Sequence, residues 1–311
     1  MASVPVILAA VDGSDQCKNA IAYLSRVLSP KHVSIELFHV LAEMPESFFD
    51  LGENEAAFAY EAQIGEWKSG RSHQIDRFMD EAQTLLAHAG FPSGSITITV
   101  EHRKEGIARD ILAKSKLGYE AVIIGRKGYG TLPEFMLGSI AAKLADTMAH
   151  VPLAIVGGQP DTRNVMVAFD RSRAIRKGLD QISPLFSRWL EEVFLCHIVR
   201  PLSEPHPARS SYFNSRNEAH WLDESSRKIV PALVETKQRL SQLGFEPKAL
   251  RTAIIKEKAS RADGLLGEAD ASGAGTIIVG RRGTTTVETF AMGRVTRKIL
   301  YMAGNKAIWI V

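Results

Sequence analysis

The sequence predicts an α/β fold built from two tandem, doubly wound, five-stranded parallel sheets, and three observations carry that reading. A chain of 311 residues suits about two domains, each large enough to bury its own core. The chain also repeats itself. Val6-Ile7-Leu8-Ala9-Ala10-Val11-Asp12-Gly13-Ser14 returns as Val165-Met166-Val167-Ala168-Phe169-Asp170-Arg171-Ser172, with the aspartates 158 residues apart. Phe38-His39-Val40 returns as Cys196-His197-Ile198, and Val122-Ile123-Ile124-Gly125-Arg126-Lys127-Gly128 as Ile277-Ile278-Val279-Gly280-Arg281-Arg282-Gly283. Finally, apolar β-rich runs alternate with helical patterns inside each repeat, the order that calls for parallel strands with helices on both faces.

In the first repeat the strands are expected at residues 4–11, 33–40, 96–102, 121–125 and 152–156. They are bounded by Gly, Pro or Asp and show little polar alternation, as strands covered on both sides should. Helices are expected at residues 16–28, 66–89, 107–116 and 139–149. Ala82, Leu85, Leu86 and Ala89 form an amphipathic stripe, and Gly90 with Pro92 behind it supplies a stop. Residues 41–65, and 201–218 in the second repeat, read as irregular connections with the character of a mobile flap. Gly157-Gly158-Gln159-Pro160 reads as a linker, dividing the chain into units 1–158 and 159–311.

Composition narrows the class. Hydrophobic residues at 45% and charged residues at 23% describe a globular chain. The net charge of +3 hides a split: 14 Lys+Arg against 19 Asp+Glu up to Gly158, then 24 against 16. The excess in the second unit suits inter-unit docking, an acidic partner or plain surface solvation. Neither zinc-finger spacing nor an aromatic-basic RNA signature is present, so nucleic acid is not expected. No stretch reaches the roughly 18 apolar residues of a membrane helix. The apolar start, residues 1–11, lacks the flanks of a signal peptide and reads as a buried strand. Cys17 and Cys196 make no disulfide framework and read as inert small apolar residues, which suits a reducing, cytoplasmic setting.

Chemistry is expected beyond the carboxyl ends of the strands, where the strand order reverses. Asp12 ends the first strand, Val40 the second and Gly125 the fourth, so all three point at one crevice. The chain then reads Gly125-x2-Gly128-x9-Gly138-Ser139, with Ser139 opening an apolar helix. Such glycines let backbone amides approach an anion, and a helix N-terminus suits phosphate. Arg126 and Lys127 place cations nearby. Each feature also has a plainer reading: Asp12 as a helix cap, the glycines as turn formers, Arg126 and Lys127 as solvated loop charges. His39 and His197 read as buried, hydrogen-bonded histidines, since no metal partners have suitable spacing.

Taken together, Gly-x2-Gly-x9-Gly-Ser after an apolar strand, Val11-Asp12-Gly13-Ser14 at the start and His39-Val40 at a strand end resemble the universal stress protein family. The resemblance covers essentially the whole chain, as two copies. It implies strand order 3-2-1-4-5 in each unit and an ATP site in the first. Adenine is expected between Asp12 and Val40. Ribose and phosphates are expected over Gly125, Gly128, Gly138 and Ser139, with Gly13, Arg126 and Ile140 beside them. Mg²⁺ is an optional companion, and ADP or AMP are alternatives to ATP. A side chain at Gly138 is expected to hold phosphate away from the amides. The resemblance also implies that residues 152–156 and 307–311 pair antiparallel within the chain, giving a pseudo-twofold sandwich of the two units. In the second unit Arg171 replaces Gly13 and Arg294 replaces Ser139, so that copy reads as a degenerate site, although arginine is itself a good phosphate partner.

The function expected is a nucleotide-binding regulator of stress response, acting through a ligand-dependent conformation or an unidentified protein partner. A homodimer is also compatible. The alternatives are a scaffold without nucleotide and a slow ATPase. Gly-x4-Gly-Lys-Ser/Thr does not occur, and no catalytic residue is assigned.

Overall fold

The computed structural model describes residues 4–42, 61–128, 136–186, 190–202, 215–256, 260–283 and 292–311. The first unit runs β1 (Val6–Ala10), α1 (Asp15–Val27), β2 (Ser34–Leu41), α2 (Glu61–His88), β3 (Ile96–His102), α3 (Ile107–Lys114), β4 (Ala121–Gly125), α4 (Ser139–Thr147) and β5 (Leu153–Val156). The second repeats it as β6 (Asn164–Ala168), α5 (Arg173–Ile182), β7 (Glu192–Ile198), α6 (Ser215–Gln242), β8 (Leu250–Ile255), α7 (Arg261–Ala271), β9 (Thr276–Val279), α8 (Arg294–Met302) and β10 (Ala307–Ile310).

Local chemistry explains these elements. Ser14 and Ser172 cap α1 and α5, their side chains accepting from Cys17 N and Ile175 N. On α2, Ile75, Phe78, Met79, Ala82 and Leu86 are buried, one face at helical spacing. Gly90 ends that helix with φ +93°, and Phe91 N bonds Leu86 O. The helix α2 begins at Glu61 and α6 at Ser215, so the tails of both supposedly irregular connections are helical. The rest of the expected flaps, residues 43–60 and 203–214, lies outside the described residues.

Pairing within each unit is parallel, and the strands run in the order β3-β2-β1-β4-β5-β10-β9-β6-β7-β8. The units meet at β5 and β10, antiparallel, with Ala307 opposite Val156, Ile308 opposite Ile155, Trp309 opposite Ala154 and Ile310 opposite Leu153. The antiparallel junction matches the expectation, but the two sheets do not form a sandwich. They continue edge to edge as one ten-stranded sheet. Helices already cover both faces of each sheet, so edge hydrogen bonding is the junction left, and it removes two exposed edges.

Alternation along the strands builds a core on each face. Ile7, Ala9, Ile35, Leu37, Ile123, Ala154, Val165 and Trp309 pack with α1, α2, α5 and α6. Leu8, Ala10, Phe38, Val122, Ile124, Leu153 and Ile308 pack with α3, α4, α7 and α8. Both cores run across the junction. In the first, Trp309 Nε1 donates to Tyr23 Oη at 2.8 Å, and Tyr23 Oη lies 3.0 Å from Thr276 Oγ1, so one buried chain of polar atoms ties the units together.

Candidate functional site

The strand order reverses between β1 and β4, and the candidate site forms there, at the carboxyl ends of those strands. Asp12 follows β1. Its Oδ1 accepts from Ser14 N at 2.9 Å and from the Cys17 thiol at 3.0 Å, while Asp12 N reaches Cys17 Sγ at 3.3 Å. Cys17 is therefore more than an inert apolar residue: it holds the aspartate in place. Burial, reinforced by the neighbouring Asp12, raises the thiol pKa, which keeps the proton on sulfur for that bond. Gly13 has φ +82°, a conformation that suits glycine.

The loop after β4 closes onto this aspartate. A Cβ at Gly128 would stand 2.4 Å from Asp12 Oδ2, so glycine lets the loop lie against the carboxylate and any other residue would displace it. Gly125 packs against the backbone of Gln16 and Cys17 at the start of α1, at 3.4 and 3.5 Å from a notional Cβ. Gly138 N bonds Arg126 O at 2.9 Å, returning the chain beside the loop's start before α4 begins at Ser139. Gly138 is also close to its own chain: a Cβ there would meet Arg126 O at 3.1 Å and Lys127 Cα at 3.2 Å, so those neighbours would have to give by a few tenths of an ångström.

Gly138 occupies the cap position of α4 without any side-chain cap bond, and the first turn of the helix carries no acidic residue. Ser139 is exposed at the first helical position. The opening turn of α4 thus offers backbone N–H groups and the positive end of the helix dipole beside the Asp12 loop. Ile140, next along, is half-buried against the core on its side of the sheet. Val40 is buried in the same core, so its side chain lies below the rim of the crevice.

Arg126 is a correction. Its side chain is 1% exposed and turned away from the crevice. Nη1 donates to Leu300 O at 2.6 Å and Nη2 to Tyr301 O at 2.9 Å, at the carboxyl end of α8 in the other unit. Arg281 repeats this in reverse, donating to Ala145 O at 2.6 Å and to Met148 O at the end of α4. Each arginine fills the unsatisfied carbonyls of the opposite helix and meets the negative end of its dipole. Burial holds both guanidinium pKa values below the ordinary range. Of the cations after Gly125, Lys127 stays half-buried within the loop.

A different cation reaches the site. Arg71 on α2 donates through Nη2 to Asp12 O at 2.7 Å. Nothing in the local sequence marks it, because only the packing of α2 across α1 brings it there. His39 is buried, as expected, with Nδ1 donating to Val11 O at 2.7 Å. Burial and the nearby Arg71 push its pKa below the ordinary histidine value, so the ring is neutral and Nδ1 carries the proton. Its Nε2 is buried and has no hydrogen-bond partner among the described residues.

Two other surface grooves among the described residues lie away from this site. One opens beside Asn164 and Glu192, the other between α5 and α6 beside Asp180 and Glu235. Their charges are largely spent in pairs such as Arg251–Glu192 and Arg239–Asp180. Among the described residues, no helix is long and apolar enough to cross a membrane.

Known proteins resemble this chain in sequence and fold. A curated universal stress protein of Mycolicibacterium smegmatis is 28% identical over 152 residues, 49% of this chain and 48% of the relative, so the chain spans about half the length of the curated relative it matches. A universal stress protein structure from Archaeoglobus fulgidus aligns over 99% of this chain and 98% of its own, with TM-score 0.59 and 16% identity, a likeness of fold. Another from Lactobacillus plantarum covers 48% of this chain and 96% of its own at 16% identity, with TM-score 0.39. The universal stress protein family model matches twice in succession, at residues 4–157 and 161–303, and the chain belongs to that family as a tandem member.

Proposed function

We propose that this chain is an adenine-nucleotide-binding regulatory protein of the stress response, with one nucleotide site in the first unit. The observation that carries the reading is the uncapped start of α4, Gly138-Ser139, beside the Asp12–Gly128 contact at the strand-order reversal. Backbone amides and the Ser139 hydroxyl would take the phosphates of ATP. Asp12, whose Oδ2 is not used by the bonds that hold Oδ1, would accept from the adenine amino group. Gly13, Gly125 and Gly128 would let the ligand approach the backbone.

A regulatory output has a physical basis in α4. Its first residue is Ser139, and its last turn carries Ala145 O, a carbonyl held by Arg281 of the second unit. An event at one end of this short helix therefore reaches the other unit through one rigid element. Turnover is expected to be slow or absent, since the chain lacks the Gly-x4-Gly-Lys-Ser/Thr loop that handles the γ-phosphate.

Calorimetry with ATP, ADP and AMP on the wild type and on Ser139→Glu tests the reading. A glutamate at the first turn favours the helix dipole, so stability should hold or rise slightly. The same charge should repel phosphate and cut ATP affinity by at least about tenfold, or 1.4 kcal/mol. Unchanged ATP affinity in that variant would place the phosphates away from the start of α4, and no ATP binding in the wild type would leave the ligand-free scaffold as the better reading. A steady-state rate near a typical enzyme's, about 10 per second, would favour the ATPase.

A further inference from the structure

The second unit differs from the first at its own carboxyl-end rim in a systematic way. Where the first unit has Gly13, Ala42, Ile107 and Ser139, the second has Arg171, Arg200, Arg261 and Arg294. The correspondence follows from the equivalent elements: Gly13 and Arg171 follow the aspartate after β1 and β6. Ala42 and Arg200 lie three residues past the paired histidines of β2 and β7. Ile107 and Arg261 open α3 and α7, and Ser139 and Arg294 open α4 and α8. Four uncharged residues have become four arginines, all at one end of one sheet, and Arg282 stands where Lys127 was.

Arg171, Arg200 and Arg261 gather near Asp170 and His197, with Arg171 Nη1 also donating to Lys228 O at 3.3 Å, and Arg282 and Arg294 flank the turn that closes on Asp170. Asp170 lies at its centre, its Oδ1 accepting from Ser172 N at 2.9 Å. A Cβ at Gly283 would come within 3.2 Å of Asp170 Oδ2, and one at Gly293 would lie 3.8 Å from Arg282 Cα, so Arg282 and the start of α8 close on the aspartate. Arg261 interacts with both Asp170 and Arg200, and Arg261 and Arg171 both act on the His197 ring, lowering its pKa alongside burial. Arg171, Arg200, Arg261, Arg282 and Arg294 are exposed, and none forms an ion pair among the described residues. Three lysines of the same unit are matched, in the pairs Lys256–Asp223, Lys298–Asp263 and Lys228–Glu224. Arg171 even keeps its place at φ +64°, a conformation that an L residue adopts only at a cost.

Clustered like charges repel, and a rim that keeps five of them around the Asp170 carboxylate gains free energy from an anion of high charge density. Planar guanidinium groups present paired donors to phosphate oxygens. We propose that this rim is a second binding site, for a small polyphosphate anion recognised by its charge and not by a base. It is not a worn copy of the nucleotide site: arginine occupies the positions at which the first unit has the uncharged Gly13, Ala42, Ile107 and Ser139.

The test is calorimetry of the full chain with inorganic tripolyphosphate, at low and at raised salt, on the wild type and on Arg261→Ile/Arg294→Ser, which restores the first unit's residues. The wild type should bind one equivalent that weakens as salt rises, because exposed charges are screened. Each single substitution should weaken that equivalent about tenfold, and the double variant should lose it. Both positions are exposed, so the variants should keep the wild-type circular dichroism and melting point. ATP titrated into the same double variant should still find its first-unit equivalent, a readout independent of the tripolyphosphate result. Absence of tripolyphosphate binding to the wild type at millimolar concentration, or undiminished binding to the folded double variant, overturns the proposal.

Discussion

Replacing Arg126 by methionine separates the reading of the local sequence from that of the structure. Beside a glycine loop, a cation looks like a phosphate ligand, and its loss should weaken ATP while leaving the fold intact. In the structure its guanidinium instead joins the end of α8 through bonds of 2.6 and 2.9 Å to Leu300 O and Tyr301 O. Two hydrogen bonds from a charged donor contribute about 1.5–3 kcal/mol each. Removing the guanidinium regains its desolvation cost of several kcal/mol, but takes the donor from one buried and one part-buried carbonyl. Methionine fills most of the aliphatic space, so cavity cost is small. The net loss should be about 3 kcal/mol. Urea unfolding followed by far-UV circular dichroism should show it as a lower midpoint, and Arg281→Met should match it, because that arginine mirrors the contact. A single lysine amine cannot reach both carbonyls with the same fork, so Arg126→Lys should fall between. An Arg126→Met protein with wild-type stability and no ATP binding would refute this reasoning and return the arginine to the phosphates.

Other perturbations probe other links. Tyr23→Phe strips the partner from Trp309 Nε1 and Thr276 Oγ1 and should cost about 1–3 kcal/mol in urea unfolding; a neutral result would show that the buried chain of polar atoms does not join the units. Arg171→Gly relieves the φ +64° backbone but loosens the unfolded chain less favourably, so stability should rise by roughly 0.5 kcal/mol; a clear loss would mean that its 3.3 Å bond to Lys228 O matters more than the strain. His39 and His197 have folded pKa values held below the ordinary one, chiefly by burial. Their unfolded pKa is about 6.5, so their contribution is complete above that pH and is lost as pH falls towards the folded values. The urea midpoint should therefore drop from pH 8 to pH 5, and His39→Gln with His197→Gln should flatten that slope; an unchanged slope would place the acid sensitivity elsewhere.

The sequence by itself determined the duplication, the parallel doubly wound class and most strand positions. Residues 96–102 and 121–125 form strands with the expected bounds. That legibility has a local cause: strands covered on both faces read as unbroken apolar runs, and glycines with Ser14 mark where they turn into helices. The glycine motif was legible for the same reason, since a loop that lies against Asp12 leaves little room for a side chain at Gly128. Only the tertiary structure decided where the charged side chains go. Gly125-Arg126-Lys127-Gly128 reads as a cationic loop, yet Arg126 N bonds Val156 O on the junction strand, and the side chain crosses to the helix end of the other unit. Arg71 reaches Asp12 from 59 residues away, and the rim arginines of the second unit, scattered from Arg171 to Arg294, meet only because parallel strands bring their carboxyl ends to one edge. Backbone preference and hydrophobic periodicity act over a few residues, so they are written in the local sequence. The partner of a long charged side chain is set by whichever unsatisfied dipole the folded sheet carries within its reach.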